Sequence, residues 1–98
     1  MPSDIDETLA QRGAAYGDFR EQARIAQTLK EAMRDSPNWP SLPAYVQEGL
    51  DMVQHKISRL LNGDPFYDDN PHDIIGYTRL MQDRMAEDRK FQQSERKA

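Results

Sequence analysis

The sequence predicts an all-α protein with three main helices and a shorter helix at the N-terminus, and three observations support this. Apolar side chains recur at steps of three and four residues in three separate segments. Glycines and prolines interrupt the chain where these segments end. No stretch alternates apolar and polar residues for long enough to indicate a β-strand.

A short first helix is predicted over residues 3–12. Ser3 is a favourable N-cap residue, and Asp6 follows it at a spacing close to that of a capping box. Gly13 and Gly17 then predict a break or a turn, because glycine weakens the interior of a helix.

The second helix is predicted over residues 19–34. Asp18 and Glu21 have the spacing of a capping box, and apolar residues follow at helical intervals. The block Tyr16-Gly17-Asp18 predicts only a turn followed by this helix cap.

A proline-rich connector is predicted over residues 35–43. Its three prolines exclude both a helix and a central strand. Trp39 and Leu42 are its apolar residues, and we expect them to pin the connector onto the core.

The third helix is predicted over residues 44–62, with Gly63 as its C′ residue and Pro65 preventing continuation. Its apolar residues lie within about 50° of one direction on the helical wheel. They are Val46, Leu50, Val53, Ile57, Leu60 and Leu61. This face is expected to contact the core.

The last helix is predicted over residues 71–88. Asn70 suits the N-cap, Pro71 the first helical position and Asp73 the third. The apolar side consists of Ile74, Tyr77, Thr78, Met81 and Met85. Residues 89–98 form a polar tail that is expected to fray, which leaves 1–88 as a single domain.

Composition excludes several classes of protein. The 13 Lys+Arg and 17 Asp+Glu residues give a net charge of -4, so the chain has no overall electrostatic attraction for nucleic acid. The absence of cysteine excludes disulfides, thiolate metal sites and cysteine nucleophiles. No signal-peptide pattern or 18-residue apolar run is present. We therefore expect a cytoplasmic protein that binds neither nucleic acid nor membrane.

A polar stripe runs along the third helix, nearly opposite its apolar face. Five residues lie within about 60° of one line, namely Glu48, Asp51, His55, Arg59 and Asn62. The stripe is either a solvated face or a binding site, since two carboxylates one turn apart can share Mg²⁺. His55 and His72 each lack a second ligand at metal-binding spacing, so ordinary surface or cap roles are expected.

A second acidic group consists of Asp68, Asp69 and Asp73. These acids either stabilise the N-terminus of the last helix or hold a metal. Two helices joined by a short turn form an antiparallel hairpin, which would bring Asp69 and Asp73 beside Lys56 and Arg59. Carboxylates for a metal and cations for phosphate would then share one cleft.

Glu48 lies about 14 residues from that turn, or roughly 20 Å along the helix axis. Glu48 and Asp69 are therefore too far apart to share a metal within one chain, although a second chain could bring them together. Self-association is also expected because a chain of this size buries a modest core. We predict a homodimer whose hairpins form a four-helix core.

Three blocks of sequence resemble a family of small uncharacterised proteins encoded by bacteriophages and prophages. The blocks are RGAAYGDF, LDMVQHKISRLLNGDP and DDNPHDIIGYTRL, and the resemblance spans about residues 12–82. More distantly, the layout is similar to the all-α nucleotide pyrophosphohydrolases of the MazG and dimeric dUTPase type, and to nucleotide-modification-associated domains of phages. In those enzymes, two acidic helices hold Mg²⁺ between them and bind the triphosphate.

The resemblance implies Mg²⁺-dependent hydrolysis of nucleoside triphosphates to monophosphate and pyrophosphate. The resemblance also implies that the metal ligands are Glu48, Asp51, Asp69 and Asp73. The candidate catalytic residues are three of these, Glu48, Asp51 and Asp73. The candidate substrate contacts are Lys56, Arg59, Asn62 and Tyr77. The chain departs from the enzymes' pattern at Gly49 and Met52, where the enzymes carry acids. The alternative is a non-enzymatic phage accessory protein that binds a host protein or a nucleotide.

Overall fold

The computed structural model describes residues 3–97, and the side chains of residues 3–95. It contains four α-helices, which are α1 (Asp4–Tyr16), α2 (Phe19–Arg34), α3 (Ala44–Asn62) and α4 (Asp69–Lys97). A short 3₁₀ turn, Trp39–Ser41, interrupts the proline-rich connector. Residues 3–97 contain no strand, so the predicted all-α class is confirmed.

The starts of α1 and α2 follow the capping signals. The Ser3 side chain accepts a hydrogen bond from the backbone of Asp6, and the Asp6 carboxylate accepts one in return. Asp18 caps α2, whose bounds agree with the prediction. The break predicted at Gly13 is wrong, because α1 continues to Tyr16. An exposed helical glycine costs only about 1 kcal/mol, which the helix tolerates.

The loop between α1 and α2 interlocks with the end of α3. Gly17 has a φ of 82°, and a Cβ atom there would overlap Asn62. A Cβ atom at Gly63 would overlap the backbone of Tyr16. The Asn62 side chain donates to the carbonyl oxygens of Tyr16, at 3.0 Å, and Asp18, at 2.8 Å. The block Tyr16-Gly17-Asp18 therefore joins the first two helices to the third.

Helix α3 is central, since it packs against α1, α2 and α4. Its early residues meet late residues of α4, as the Tyr45 hydroxyl donates to Asp88. Its later residue Lys56 forms an ion pair with Asp73, near the start of α4. The connector is held by the Gln47 side chain, which donates to a carbonyl oxygen at 2.8 Å.

Helix α4 differs from the prediction at both ends. It begins at Asp69, two residues early, because the carbonyl oxygen of Asp68 already accepts the hydrogen bond from the backbone of His72. Asn70 is therefore not the N-cap but lies in the first turn, fully buried. The helix continues to Lys97, past the predicted end at residue 88. Of the predicted tail, Ala98 lies outside the described residues.

The two faces of α3 are covered differently from the prediction. On the polar stripe only Glu48 is exposed, and Arg59 is 8% exposed. On the apolar face Val46 is buried, but Ile57 and Leu61 are 37% and 65% exposed. Helices α1 and α2 cover the polar side, so the stripe is not a solvated face. The apolar side is left open at Ile57 and Leu61.

A single chain buries little apolar surface. Within residues 3–95, the buried apolar side chains are Ala26, Val46 and Met81. The radius of gyration is 17.6 Å, whereas a compact chain of this length has about 13 Å. The accessible surface is 7501 Å², against roughly 5,800 Å² for a compact monomer of this mass. None of the described helices combines the length and apolar character needed to cross a bilayer.

Candidate functional site

The four acids proposed as metal ligands do not meet in one chain. Asp51 forms an ion pair with Arg34 of α2, at 2.9 Å, and Asp73 of α4 forms one with Lys56, at 2.8 Å. The two carboxylates therefore lie on different sides of α3. Glu48 is exposed. Among residues 3–97 we find no group of three acids or histidines placed to hold a metal ion.

The start of α4 brings carboxylates and cations together. Lys56 is 8% exposed, and its hydrogen bond holds the pKa of Asp73 below the ordinary value, although desolvation of the carboxyl opposes this shift. The positive charges of His72 and Arg59 lower the same pKa further. Lys56 and Asp73 thus meet between α3 and α4, with the charge of Arg59 close enough to act on Asp73, and we call this region the α3–α4 cleft.

Glu48 and Tyr77 line a separate groove between α3 and α4, with a volume of about 380 Å³. Its other lining residues are Tyr45, Gly49, Leu80, Met81 and Arg84. Gly49 is needed here because a Cβ atom would overlap Met81. Tyr77 also lines an adjoining depression with Asp73, so the groove and the α3–α4 cleft are neighbours.

Asn62 has a structural role. Its side-chain nitrogen already donates to the carbonyl oxygens of Tyr16 and Asp18. A substrate contact through this nitrogen would break the junction between the first and third helices. Of the other candidate substrate contacts, Tyr77 is half-buried and lines the groove, whereas Lys56 and Arg59 are buried.

An aromatic platform adjoins Arg59. The Cζ atom of Arg59 lies 3.9 Å from the centroid of the Tyr16 ring, and that of Arg12 lies 5.2 Å from it. Tyr67 meets this ring edge-on, with centroids 5.5 Å apart. Hydrogen bonding with Asp69 and Tyr16 raises the pKa of Tyr67 to about 12. Two guanidinium groups therefore share one tyrosine ring.

This platform borders a pocket of about 470 Å³ between α1, α2 and α3, which we call the Arg59 pocket. Its lining residues are Leu9, Arg12, Tyr16, Gly17, Phe19, Gln22, His55 and Arg59. Burial lowers the pKa of His55, and the charges of Arg59, Lys56, Lys30 and Arg12 lower it further. The pocket is thus locally positive in a chain of net charge -4.

Two buried polar side chains near this region lack partners. The Nε atom of Arg59 makes no hydrogen bond, and no carboxylate in residues 3–95 lies within ion-pair distance of its guanidinium. Asn70 is fully buried, and both polar atoms of its side chain are unpaired. Buried polar groups are nearly always paired with protein, water or a ligand. Arg59 and Asn70 are therefore exceptions to this rule among the described residues.

The sequence interpretation did not include Arg12 and Tyr16 in a site. Their spacing of four residues puts them on one helical face, which was the available signal. The predicted break at Gly13 separated them, and nothing local indicated that the end of α1 reaches α3.

Comparison of the chain with protein-family models, with curated proteins and with solved structures finds no match. Function is therefore inferred from the side chains of this chain.

Proposed function

We propose that this protein is a homodimer that binds a nucleoside triphosphate together with Mg²⁺ at the α3–α4 cleft. The observation that carries the proposal is the pairing of buried Lys56 with Asp73, beside a buried Arg59 that has no carboxylate partner among residues 3–95. Cations suited to phosphate and a carboxylate suited to Mg²⁺ thus lie side by side.

The donor set of the cleft fits Mg²⁺ delivered with a nucleotide. Mg²⁺ in nucleotide sites is bound by one or two carboxylates, with waters and phosphate oxygens completing its octahedron. Asp69 and Asp73 lie one turn apart at the start of α4. With a nucleotide bound, Lys56 would contact a phosphate oxygen and Asp73 would be one of the residues that hold the metal. Both charges of the ion pair stay compensated.

Calorimetric titration with a panel of nucleoside triphosphates in Mg²⁺ tests this proposal. We expect binding to the wild type, and a loss of at least about tenfold in Lys56→Met because a charge-assisted contact is removed. Lys90→Met, the same change on the exposed part of α4, should bind like the wild type. An absence of nucleotide binding at millimolar concentrations would refute the proposal.

The homodimer is supported by the open apolar side of α3. The accessible surface exceeds that of a compact monomer by roughly 1,700 Å². A standard interface buries about 800 Å² per partner, so a second copy of the chain could cover much of this excess. The exposed apolar residues include Ile57 and Leu61 of α3 and Ile75 of α4. Two antiparallel α3–α4 hairpins would then form the four-helix core.

Hydrolysis of the bound nucleotide is a second candidate function, favoured by the position of Asp69 and Asp73 beside the cations. Glu48 and Asp51 lie on the wheel nearly opposite the apolar face. A dimer formed through that face would leave them away from the second copy's cleft. Only Asp69 and Asp73 would then remain near the cleft, instead of the four acids that the resemblance to hydrolases implies. For this reason we propose binding first and hydrolysis second.

Release of pyrophosphate measures hydrolysis directly. We expect the wild type to release pyrophosphate from a nucleoside triphosphate in Mg²⁺, and Asp73→Asn to lose this activity while staying folded. No release by the wild type would restrict the protein to binding, and equal release by both proteins would show that Asp73 takes no part in the reaction.

The resemblance to phage proteins supports a phage or prophage origin and action in the host cytoplasm. The remaining alternative is that the protein binds a host protein. That partner, instead of a second copy of the chain, would then cover the exposed apolar residues. Measurement of the molar mass of the purified chain separates these two, because only self-association doubles the mass without another component.

A further inference from the structure

We propose that the Arg59 pocket is an oligophosphate-binding subsite, in which Arg59 and Arg12 hold phosphate oxygens beside the face of Tyr16. The inference deepens the proposed function and rests on it, since it states which part of a nucleoside triphosphate is recognised. The ligand class is a linear chain of phosphates, with the nucleoside contributing little at this subsite.

The first step is the environment of Arg59. This side chain is 8% exposed, and its Nε atom has no hydrogen-bond partner. Its neighbour is the Tyr16 ring, with 3.9 Å between Cζ and the ring centroid. A buried charge without a counter-charge is costly, and contact with an aromatic face compensates for only part of that cost. An anion that binds in the pocket supplies the missing counter-charge.

The second step is the charge of the surroundings. Four cationic side chains act on His55 at the pocket wall, from α1, α2 and α3. They are Arg12, Lys30, Lys56 and Arg59. The four charges with the largest effects on the pKa of His55 are positive, in a chain whose net charge is negative. The pocket therefore attracts a ligand that carries several negative charges.

The third step is the rigidity of the platform. Asn62 fixes the backbone on both sides of Gly17, through the carbonyl oxygens of Tyr16 and Asp18. Tyr67 packs against the edge of the Tyr16 ring. The ring that positions both guanidinium groups is thus held before a ligand arrives, which lowers the entropic cost of binding.

The fourth step identifies the ligand. A guanidinium group presents a planar fork of donors that matches two oxygens of a phosphate. Arg12 and Arg59 lie against one ring, so their forks can contact successive phosphates of a chain. The volume of about 470 Å³ accommodates a triphosphate. Lys56 lies one turn before Arg59 on α3, which places the pocket next to the α3–α4 cleft.

Calorimetric titration of the full chain with inorganic tripolyphosphate, without Mg²⁺, tests the inference. We expect one tripolyphosphate per chain, and binding at least about tenfold weaker in both Arg12→Gln and Arg59→Met. Arg89→Gln makes the same charge change on the exposed part of α4 and should bind like the wild type. Arg12 is exposed, so Arg12→Gln tests the pocket even if Arg59→Met fails to fold.

A parallel titration with a nucleoside triphosphate and Mg²⁺ distinguishes a failure of this inference from a failure of the proposed function. If the nucleotide binds but tripolyphosphate does not, the inference is wrong and the proposed function stands. The inference is also wrong, and the proposed function also stands, if Arg12→Gln, Arg59→Met and Arg89→Gln all bind tripolyphosphate equally. If neither ligand binds, both are wrong. If tripolyphosphate binds as expected and the nucleotide does not, inorganic polyphosphate is the ligand and only the nucleotide assignment falls.

Discussion

Polar and charged side chains occupy the interior positions of α3 that a helix normally fills with apolar ones. Gln54, Lys56, Ser58 and Arg59 are all buried, and Asn70 of α4 lies fully buried as well. Burying such groups costs free energy unless each finds a partner. Lys56 finds one in Asp73, whereas Arg59 and Asn70 do not find one among the described side chains. The unpaired groups of Arg59 and Asn70 therefore lower the free energy of unfolding relative to a chain with apolar side chains at these two positions.

The pKa of His55 gives a pH-dependent consequence. Burial lowers this pKa below 6.5, and the charges of Arg59, Lys56, Lys30 and Arg12 add to the effect. Above pH 6.5 the folded and unfolded chains both carry a neutral His55, so it imposes no penalty. As the pH falls below 6.5, the unfolded chain takes up a proton that the folded chain does not, and the free energy of unfolding decreases.

We expect the urea midpoint of the wild type to fall between pH 7.5 and pH 5.5, and His55→Gln to lose part of this dependence. The pKa of Asp73 is lowered from an ordinary value that already lies well below this range, so this carboxylate does not contribute. Parallel curves for the two proteins would show that folding does not lower the pKa of His55.

At the scale of helices, local signals predicted the ends of α2 and α3 well. Asp18 supplies a cap whose geometry depends on its immediate neighbours, and Gly63 follows the last residue of α3. The side of α3 that would be covered could not be predicted. That outcome depends on where the α1–α2 unit docks, and Asn62 fixes the docking by bonding to a loop more than 40 residues away.

One contact near the turn was predictable to the same extent, that of Lys56 with Asp73. A short turn between two helices implied that Lys56 and Arg59 would approach the start of α4, and Asp73 lies there. The pairing of Arg12 and Tyr16 with Arg59 was not foreseen, because it joins α1 to α3 through a tertiary contact. Periodicity in one helix carries no information about such a contact.

Two glycines test the role of the loop between α1 and α2. Gly17→Ala should lower the free energy of unfolding by at least about 2 kcal/mol, since alanine is strained at a φ of 82° and its Cβ atom would overlap Asn62. Gly13→Ala is the matched control, because Gly13 is helical and nothing lies near its Cβ position. It should raise the free energy of unfolding by up to about 1 kcal/mol.

Urea denaturation of both variants measures these changes. Similar small effects at the two positions would mean that the contact of Gly17 with Asn62 does not hold the α1–α2 unit on α3. The Arg59 pocket depends on that contact, so Gly17→Ala should also weaken any binding of tripolyphosphate.

At the scale of the whole molecule, the chain is extended, with dimensions of 68 × 25 × 23 Å. Helix α4 has 29 residues, and α3 has only 19, so α4 extends beyond its contact with α3. The apolar stripe of α3 is partly open along its length, and a groove of about 330 Å³ beside it is lined by Trp39, Leu42 and Val53. A second copy that covers this stripe would add the apolar core that one chain lacks.

The two faces of α3 thus have different proposed tasks, the polar one in binding an anion and the apolar one in self-association. Leu61 lies on the apolar face and is 65% exposed, so Leu61→Asp should disrupt the dimer without removing a side chain from the core. Phe66, in the turn after α3, is 91% exposed and provides a control outside the stripe.

Sedimentation equilibrium at micromolar concentration is the most direct test of this arrangement of α3. The wild type and Phe66→Asp should both show twice the chain mass of 11.4 kDa, whereas Leu61→Asp should show the mass of one chain with its helical circular dichroism retained. A wild type that sediments at 11.4 kDa, or a Leu61→Asp variant that still dimerises, would contradict it.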